Sequence, residues 1–225
     1  MEVVRIEKRV CEEFVSKKHY SRKPSIFWAG FGLIENEMIQ GVAVYGQPSP
    51  PIQKHAFRDR DFKLFELSRV VIQTKTRNAG SLLIGRSLRM LNPPCCAVVS
   101  YSDMEQNHCG ILYQSTNWTY TGATTSHDSL YIVDGERVHP MTLRDRGITN
   151  PAEWAKANGI ERVQPSEKHR YFQFVGSKTE VKMMRGKLQY GIVTPYPKCD
   201  QARYDDGPMI DVRSGEKSKA KTLFD

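Results

Sequence analysis

Three side chains that can transfer protons lie close together in the sequence: Asp103, His108 and Tyr113. A carboxylate can accept a proton from an attacking group, and a phenol can give one to a leaving group. Asp103 follows the apolar run at 97–101, and open α/β sheets carry their chemistry at the carboxyl ends of such strands. Two structural roles compete with this interpretation, because Asp103 could cap the next turn and Tyr113 could pack in a core.

A second candidate group lies near the N-terminus, where His19 and Tyr20 stand among basic residues. A histidine between two elements can serve catalysis or simply be exposed, and a tyrosine ring can stack on a base. Cations neutralise the phosphates of a nucleic acid backbone. The cations of this segment, which we predict to contact DNA, are Lys17, Lys18, Arg22 and Lys23.

The turn at 76–81 could hold an anionic donor at the start of a helix. Free N–H groups and the helix dipole attract phosphate there, and Gly80 would let a ligand approach the backbone. We therefore predict donor contacts from Arg77, Gly80 and Ser81, with an ordinary helix capped by Ser81 as the alternative. Arg69, inside an apolar strand, is a further donor contact, unless Glu66 or an edge position satisfies its charge.

The composition suits a polyanionic partner. The 225 residues carry 33 Lys and Arg against 25 Asp and Glu, a formal net charge of +8, which also fits simple solubility. The five cysteines include no CxxC pair, so a disulfide framework and a zinc site are poorly supported, and we predict no metal. No signal peptide and no apolar run long enough to span a bilayer are visible, so we expect a cytoplasmic protein without membrane contact.

Hydrophobic periodicity predicts strands that alternate with helices through the first half, which indicates an α/β (α+β) sheet with crossover helices. The predicted strands are 3–6, 26–34, 41–45, 62–72, 97–101 and 118–121, then a hairpin at 129–138 and strand-like basic segments at 168–175 and 181–193. The predicted helices are 8–17, 81–91, 110–115 and 151–158. We divide the chain into a core at 1–125, a β-rich elaboration packed on the same domain at 126–210, and a flexible basic tail at 211–225.

The element order between residues 66 and 122 resembles the core of the GNAT acyltransferase superfamily. The resemblance is carried by ELSRVVI, RNAGSLLIGRSLRML, AVVSYSD and NHCGILYQSTNWTYTG. It implies a central mixed, twisted sheet flanked by helices, with a donor such as acetyl-CoA bound at the turn. One departure bears on that donor, because Leu82 stands where the family has Gly or Ala and would crowd the pyrophosphate of coenzyme A.

A finer resemblance is to the Mom family of phage DNA-modification proteins. It rests on HYS at 19–21, GVAVYGQPSPP at 41–51, ELSR at 66–69, NAGSLL at 78–83, SYSD at 100–103, KHRYFQF at 168–174 and PYPK at 195–198. The resemblance implies conversion of adenine in phage DNA to N6-(carbamoylmethyl)adenine, which protects the DNA from host restriction enzymes. By motif, it implies catalytic roles for His19, Tyr20, Asp103 and Tyr113 and a donor site at Arg69 and Ser81.

The resemblance also bears on the donor and the partners. The transferred unit, –CH2–CO–NH2, has the atoms of glycine, so we favour glycyl-tRNA as the donor over acetyl-CoA. The implied partners are double-stranded DNA and tRNA, with the oligomeric state open. Two other functions fit the same residues: an N-acetyltransferase acting on protein or small-molecule amines, and a basic DNA-binding protein without catalysis.

Overall fold

A computed structural model describes residues 1–124, 129–200 and 209–213. The strands of these residues are β1 (Glu2–Ile6), β2 (Ala29–Glu35), β3 (Met38–Gly46), β4 (Lys63–Ile72), β5 (Cys96–Asp103), β6 (Thr119–Thr124), β7 (Leu130–Val133), β8 (Glu136–Val138), β9 (Arg162–Val163) and β10 (Lys168–Val175). The α-helices are α1 (Lys8–Lys18), α2 (Pro50–His55), α3 (Ala79–Arg89), α4 (Ile111–Gln114), α5 (Pro140–Asp145), α6 (Pro151–Ala157) and α7 (Lys178–Lys187). Among the described residues, no helix is both long and apolar enough to cross a membrane.

Seven strands form the central sheet in the order β1-β2-β3-β4-β5-β10-β6. Neighbouring strands are antiparallel except β4 and β5, which run parallel and are joined by the crossover helix α3. The predicted mixed sheet flanked by helices is therefore confirmed. A smaller sheet of order β8-β7-β9 packs with α5 and α6 around Tyr131, Val138, Leu143 and Ala155.

The helices cover both faces of the central sheet. Leu83, Ile84 and Leu88 of α3 pack with alternate residues of β4 and β5 in the core of one face. Phe14 and Val15 of α1 pack on the other face. Because side chains alternate along a strand, neighbouring residues of β4 and β5 face in turn α3 on one side and α1 or α7 on the other.

A bulge in β4 separates the two parallel strands. Tyr45 of β3 pairs with Leu67, but the next residue, Val44, pairs with Arg69, so Ser68 is the extra residue. A bulge of this kind bends its strand and increases the local twist. The β4–β5 pairing covers only 63–66 with 96–99, after which β4 stays with β3 and β5 stays with β10. The carboxyl halves of β4 and β5 therefore diverge and leave a gap in the sheet.

The structure differs from the sequence predictions in the second half of the chain. Segment 181–193, predicted as strand-like, begins inside helix α7, because Ser177 and Glu180 form a capping box at its start. β10 was predicted as a strand but not as an inner one, and it lies between β5 and β6. Residues on both sides of the predicted boundary at 125 therefore build one sheet.

Two long-range contacts of the C-terminal part were also not predicted. Cys109 and Cys199, 90 residues apart, form a disulfide, so the prediction against disulfides is wrong for this pair, which no local spacing reveals. Residues 211–213, which the sequence predicts to belong to a flexible tail, lie against β3 instead. Val212 is buried and its carbonyl accepts a bond from the amide of Ile39 at 3.0 Å. Residues 214–225 lie outside the described residues.

Candidate active site

A cavity of about 160 Å³ lies where β4 and β5 diverge. This volume is below the roughly 300–1,000 Å³ of sites for drug-sized ligands, so the cavity suits a small group rather than a whole nucleotide. Its walls come from the end of α1, from β4, from β5 and from the start of α4. All four predicted catalytic residues line it: His19, Tyr20, Asp103 and Tyr113. The structure thus brings together residues that are as far as 94 positions apart in the sequence (113 − 19).

Tyr113 is a buried part of the wall. Only 9% of its surface is exposed, and its phenolic oxygen lies 2.8 Å from Oγ of the fully buried Ser100. The Ser100 hydroxyl donates to the carbonyl of Leu67 at 2.7 Å. Since a carbonyl can only accept and Ser100 has one proton, the phenol of Tyr113 donates the other bond. This chain of bonds crosses the gap and fixes the phenolic oxygen, and burial raises the pKa of Tyr113 to about 12.

His19 lines the same cavity as Tyr113 and comes directly after α1. Its hydrogen bonds define the tautomer of the ring. Its Nδ1 accepts a bond from the backbone N–H of Ser21 at 3.1 Å, and Oγ of Ser21 lies 2.9 Å from the same atom. Burial, together with the positive charge of Arg69, lowers the pKa of His19 from 6.5 to about 4. The ring is therefore neutral near pH 7 and carries its proton on Nε2. A neutral imidazole held in this way is a hydrogen-bond donor for a cavity ligand.

Tyr20, His108 and Asp103 form the rim of the cavity. The ring of Tyr20 lies 4.3 Å from that of His19 and 6.0 Å from that of His108, and 45% of Tyr20 is exposed. Burial, and then the charge of Asp103, raise the pKa of Tyr20, while burial lowers the pKa of His108. Both rings are therefore neutral near pH 7. Asp103 accepts bonds at Oδ1 from Ser166 Oγ at 2.6 Å and from the amide of Glu105 at 3.0 Å. The carboxylate thus caps the following turn, which is the structural role predicted for it, and Asp103 also lines the cavity.

Arg69 supports the wall rather than lining the cavity. Its Nε donates to the carbonyl of Lys23 at 3.2 Å, and Nη1 donates to the carbonyl of Ser68 at 2.7 Å. These bonds tie the loop after α1 to the bulge in β4. Arg69 therefore fixes the end of the loop that begins with His19 and Tyr20, and it is not among the described residues that line the cavity.

The other predicted donor residues, Arg77, Gly80 and Ser81, lie at the start of α3 and outside the cavity wall. A Cβ on Gly80 would come within 2.6 Å of Cδ1 of Leu112, so the missing side chain makes room for α4. Ser81 is not the cap: Asn78, in the left-handed conformation, holds that position without a side-chain bond, and Ser81 Oγ lies 3.2 Å from Ser115 Oγ. At the start of α3, the backbone N–H groups of the first turn are the groups that suit an anion.

The residues predicted to contact DNA lie around the end of α1. Lys18 lines the cavity, and Lys17 forms an exposed ion pair with Glu13 at 2.7 Å. Arg22 has a positive φ of 47°, and the carbonyl of Lys23 accepts the bond from Arg69. Of the four predicted DNA contacts, Lys18 is therefore the one whose side chain the structure places at the cavity. Within the ranges described, no group of three or more His, Cys, Asp or Glu side chains is arranged to hold a metal.

Two serines of the site, Ser100 and Ser102, were not predicted. Both belong to the motif SYSD at 100–103, and strand alternation puts both on the face of α3 and α4. The sequence signal that could have identified these two serines as site residues is a pair of small polar residues at alternate positions near the end of a buried strand. Ser102 is 6% exposed and lines the cavity.

Comparison with known proteins gives a family and a set of structural relatives. Residues 1–198 match the model of the Mom protein family. The chain is 27% identical over 212 residues to the methylcarbamoylase Mom of Escherichia phage Mu, covering 87% of this chain and 84% of that protein. Among solved structures, an N-acetyltransferase from Staphylococcus aureus Mu50 has a TM-score of 0.43 at 14% identity, covering 78% of this chain and 98% of that one. Arabidopsis thaliana NAA60 in complex with acetyl-CoA has a TM-score of 0.46 at 11% identity, covering 77% and 97%.

Because both TM-scores are below 0.5, we base the description of the fold, a mixed sheet flanked by helices, on the strand order and on the gap between β4 and β5. The family match covers most of the chain, including the loop after α1, the bulge in β4, β5 and α4. It therefore covers every residue that lines the cavity. The chain belongs to the Mom protein family.

Proposed function

We propose that this protein is a DNA-modifying transferase that converts adenine to N6-(carbamoylmethyl)adenine, and that in phage DNA this change blocks host restriction enzymes. One observation carries the proposal: His19, Tyr20, Asp103 and Tyr113 share one small cavity in the gap between β4 and β5. The family match and the phage Mu relative, whose name describes methylcarbamoylation, support it. The host cytoplasm, where phage DNA is replicated, is the proposed place of action.

The two faces of the gap suit two different substrates. The end of α1 and the loop after it bring Lys18 and the half-exposed ring of Tyr20 to the cavity, which suits a DNA backbone and a base taken out of the stack. The start of α3 lies on the opposite face and suits an anionic donor. The transferred group would meet adenine N6 in the cavity, between these faces.

Acyl transfer followed by an internal rearrangement gives the product. The amino nitrogen of adenine attacks the ester carbonyl of a glycyl donor, and the bond between that carbonyl carbon and the donor oxygen breaks. Asp103 takes the proton from N6, and the phenol of Tyr113 turns its proton from Ser100 to the leaving oxygen and transfers it there. The free glycine amine then attacks purine C6, and the original N6 leaves C6 to become the amide nitrogen. This second step rearranges one molecule and needs no other reactant.

We propose glycyl-tRNA rather than acetyl-CoA as the donor. In the first turn of α3, Leu112 fills the space that Gly80 leaves, and the partly buried Leu82 packs against the core. The backbone there is therefore less open to a pyrophosphate than the resemblance to acetyltransferases implies. A donor held mainly by a basic surface does not need that cradle, and the net charge of +8 suits two nucleic acids.

Nucleoside mass spectrometry of DNA from cells that express the chain tests the reaction. We expect N6-(carbamoylmethyl)-2′-deoxyadenosine in the wild-type digest and its loss in Asp103→Ala, with duplex binding retained. An adenine peak without any modified partner rejects the proposal. If the wild type and the variant both bind duplex DNA and neither modifies it, the result would favour a DNA-binding protein without catalysis.

Isotope transfer to duplex DNA tests the donor. Purified protein is supplied in separate reactions with labelled glycyl-tRNA, free glycine or acetyl-CoA. We expect label in adenine only from glycyl-tRNA. Label that enters DNA only from acetyl-CoA would contradict the glycyl donor, and acetylation of added proteins or amines with unmodified DNA would identify an N-acetyltransferase.

A further inference from the structure

Ser102 has a buried hydroxyl with no hydrogen-bond partner. Among the described residues, two buried side-chain nitrogen or oxygen atoms have no hydrogen-bond partner: Oγ of Ser102 and Nε1 of Trp118. Most buried polar atoms in proteins are paired, because an unpaired hydroxyl costs free energy. Trp118 is fully buried in the core, whereas Ser102 lines the cavity. The position of Ser102 therefore points to a partner that enters the cavity.

The place of Ser102 in β5 identifies the side of the cavity that it serves. Ser100, two residues earlier, contacts Tyr113 of α4, so alternation puts Ser102 on the same face, nearer to the strand end. His169 stands opposite Ser102 in β10, and its Nδ1 is engaged at 2.8 Å by the phenol of Tyr120. The face of α3 and α4 is the one that the proposed function gives to the donor.

We propose that the Ser102 hydroxyl hydrogen-bonds the polar end of the transferred group and thereby selects a glycine-derived unit over an acetyl unit. This inference rests on the proposed function. A hydroxyl can both donate and accept, so it can pair with the amine of a glycyl donor or with the amide of the carbamoylmethyl product. A methyl group in the same place would leave Ser102 unpaired, and discrimination of this kind comes from the buried group that the wrong substrate cannot satisfy.

Product-like oligonucleotides test the inference without turnover. One duplex carries N6-(carbamoylmethyl)adenine, and a second carries N6-isobutyladenine, which has the same shape without the amide. We expect the wild type to bind the amide duplex about tenfold more tightly, the factor that one hydrogen bond to a buried group supplies. Ser102→Ala should bring the ratio of the two dissociation constants close to one, and Ser102→Thr should preserve it.

Ser87→Ala is the matched control, because Ser87 is a fully buried serine outside the cavity whose Oγ bonds Tyr45 at 2.7 Å. It should leave the ratio unchanged but lower thermal stability. Ser102→Ala should leave the stability of the free protein equal or higher, since it removes an unpaired hydroxyl. Equal affinities of the wild type for both duplexes, or an unchanged ratio in Ser102→Ala, would overturn the inference. Unmodified adenine in cells would instead reject the proposed function, so the two failures are distinguishable.

Discussion

The two walls of the cavity are built in different ways. The wall from β5 and α4 is packed: Ser100 is fully buried, Tyr113 is almost so, and a Cβ on Gly110 would come within 2.6 Å of the ring of Tyr171. The wall from the loop after α1 is held by polar bonds, from Arg69 to two carbonyls and from Ser21 to His19. Tyr20 on that wall is 45% exposed.

This difference suits two kinds of ligand. A packed wall with fixed hydroxyls can hold a small group in one orientation, since close packing leaves few alternative positions. A wall tied by a few hydrogen bonds and edged with cations can adapt to a larger partner that arrives from solvent, and polar loops of this kind commonly carry binding residues. The packed wall should therefore govern the rate and the choice of donor, and the loop wall should govern DNA affinity.

The sharpest test of the packed wall is Tyr113→Phe. We expect the rate of adenine modification to fall by about 10²- to 10⁴-fold, the range for a lost general acid, with DNA affinity unchanged. Single-turnover kinetics with duplex DNA measure the rate. Tyr45→Phe is the matched control, because Tyr45 is a buried tyrosine bonded to Ser87 outside the cavity. A similar rate loss in both variants would show that the effect is structural.

Gly80→Ala tests whether Gly80 serves packing or ligand approach. The added Cβ would press on Leu112, so we expect a loss of about 1–3 kcal/mol in the free energy of unfolding, measured by urea titration. Leu112→Ala should relieve that strain, which makes the double variant less destabilised than the sum of the two.

Gly85, in the same helix and with nothing within 4 Å of its Cβ position, is the control. Gly85→Ala should stabilise the protein by about 0.5–1 kcal/mol, because alanine is the better helix former. A Gly80→Ala variant that is as stable as the wild type but has lost donor affinity would assign Gly80 to the ligand instead.

The loop wall should respond to pH through His19. Its pKa is about 4 in the folded protein against an ordinary 6.5, so between these values the unfolded chain binds more protons. The contribution of neutral His19 to stability is therefore present above pH 6.5 and is lost as the pH falls to about 4. We expect unfolding free energies measured from pH 7 to pH 4 to fall less steeply in His19→Gln than in the wild type. Equal slopes in the two proteins would contradict a buried, neutral His19.

The smallest expected effect is a difference between two adjacent lysines at the end of α1 in the salt dependence of DNA binding. Lys18 lines the cavity, whereas Lys17 already pairs with Glu13 on the surface of α1. We expect Lys18→Ala to lower the slope of log affinity against log salt concentration for duplex DNA by about 1, as for one lost phosphate contact. Lys17→Ala should change it less. An equal change in both would place the DNA along α1 rather than at the rim.

Local patterns predicted the elements that build the site but not the contacts between them. Apolar periodicity gave β4, α3, β5 and α4 nearly to their observed ends, because each has one buried face that repeats with the period of its element. The serines at 100 and 102 stand in a run that reads as a buried strand, yet nothing local shows that one of them bonds Tyr113. The family resemblance, rather than spacing, gave His19, Tyr20, Asp103 and Tyr113 as a set.

The sequence by itself determined the alternation of strands and helices, the basic loop after α1 and the residue types that can transfer protons, since these depend on neighbouring residues. Only the tertiary structure decided that Ser68 forms a bulge, that β10 enters the sheet beside β5, and that Cys109 meets Cys199. It also showed that Arg69 bonds the carbonyl of Lys23 and that Gly80 makes room for Leu112, whereas their predicted contacts to a donor stay predictions. The physical reason is that strand pairing and side-chain burial join residues far apart in the chain, and such contacts leave no local signature.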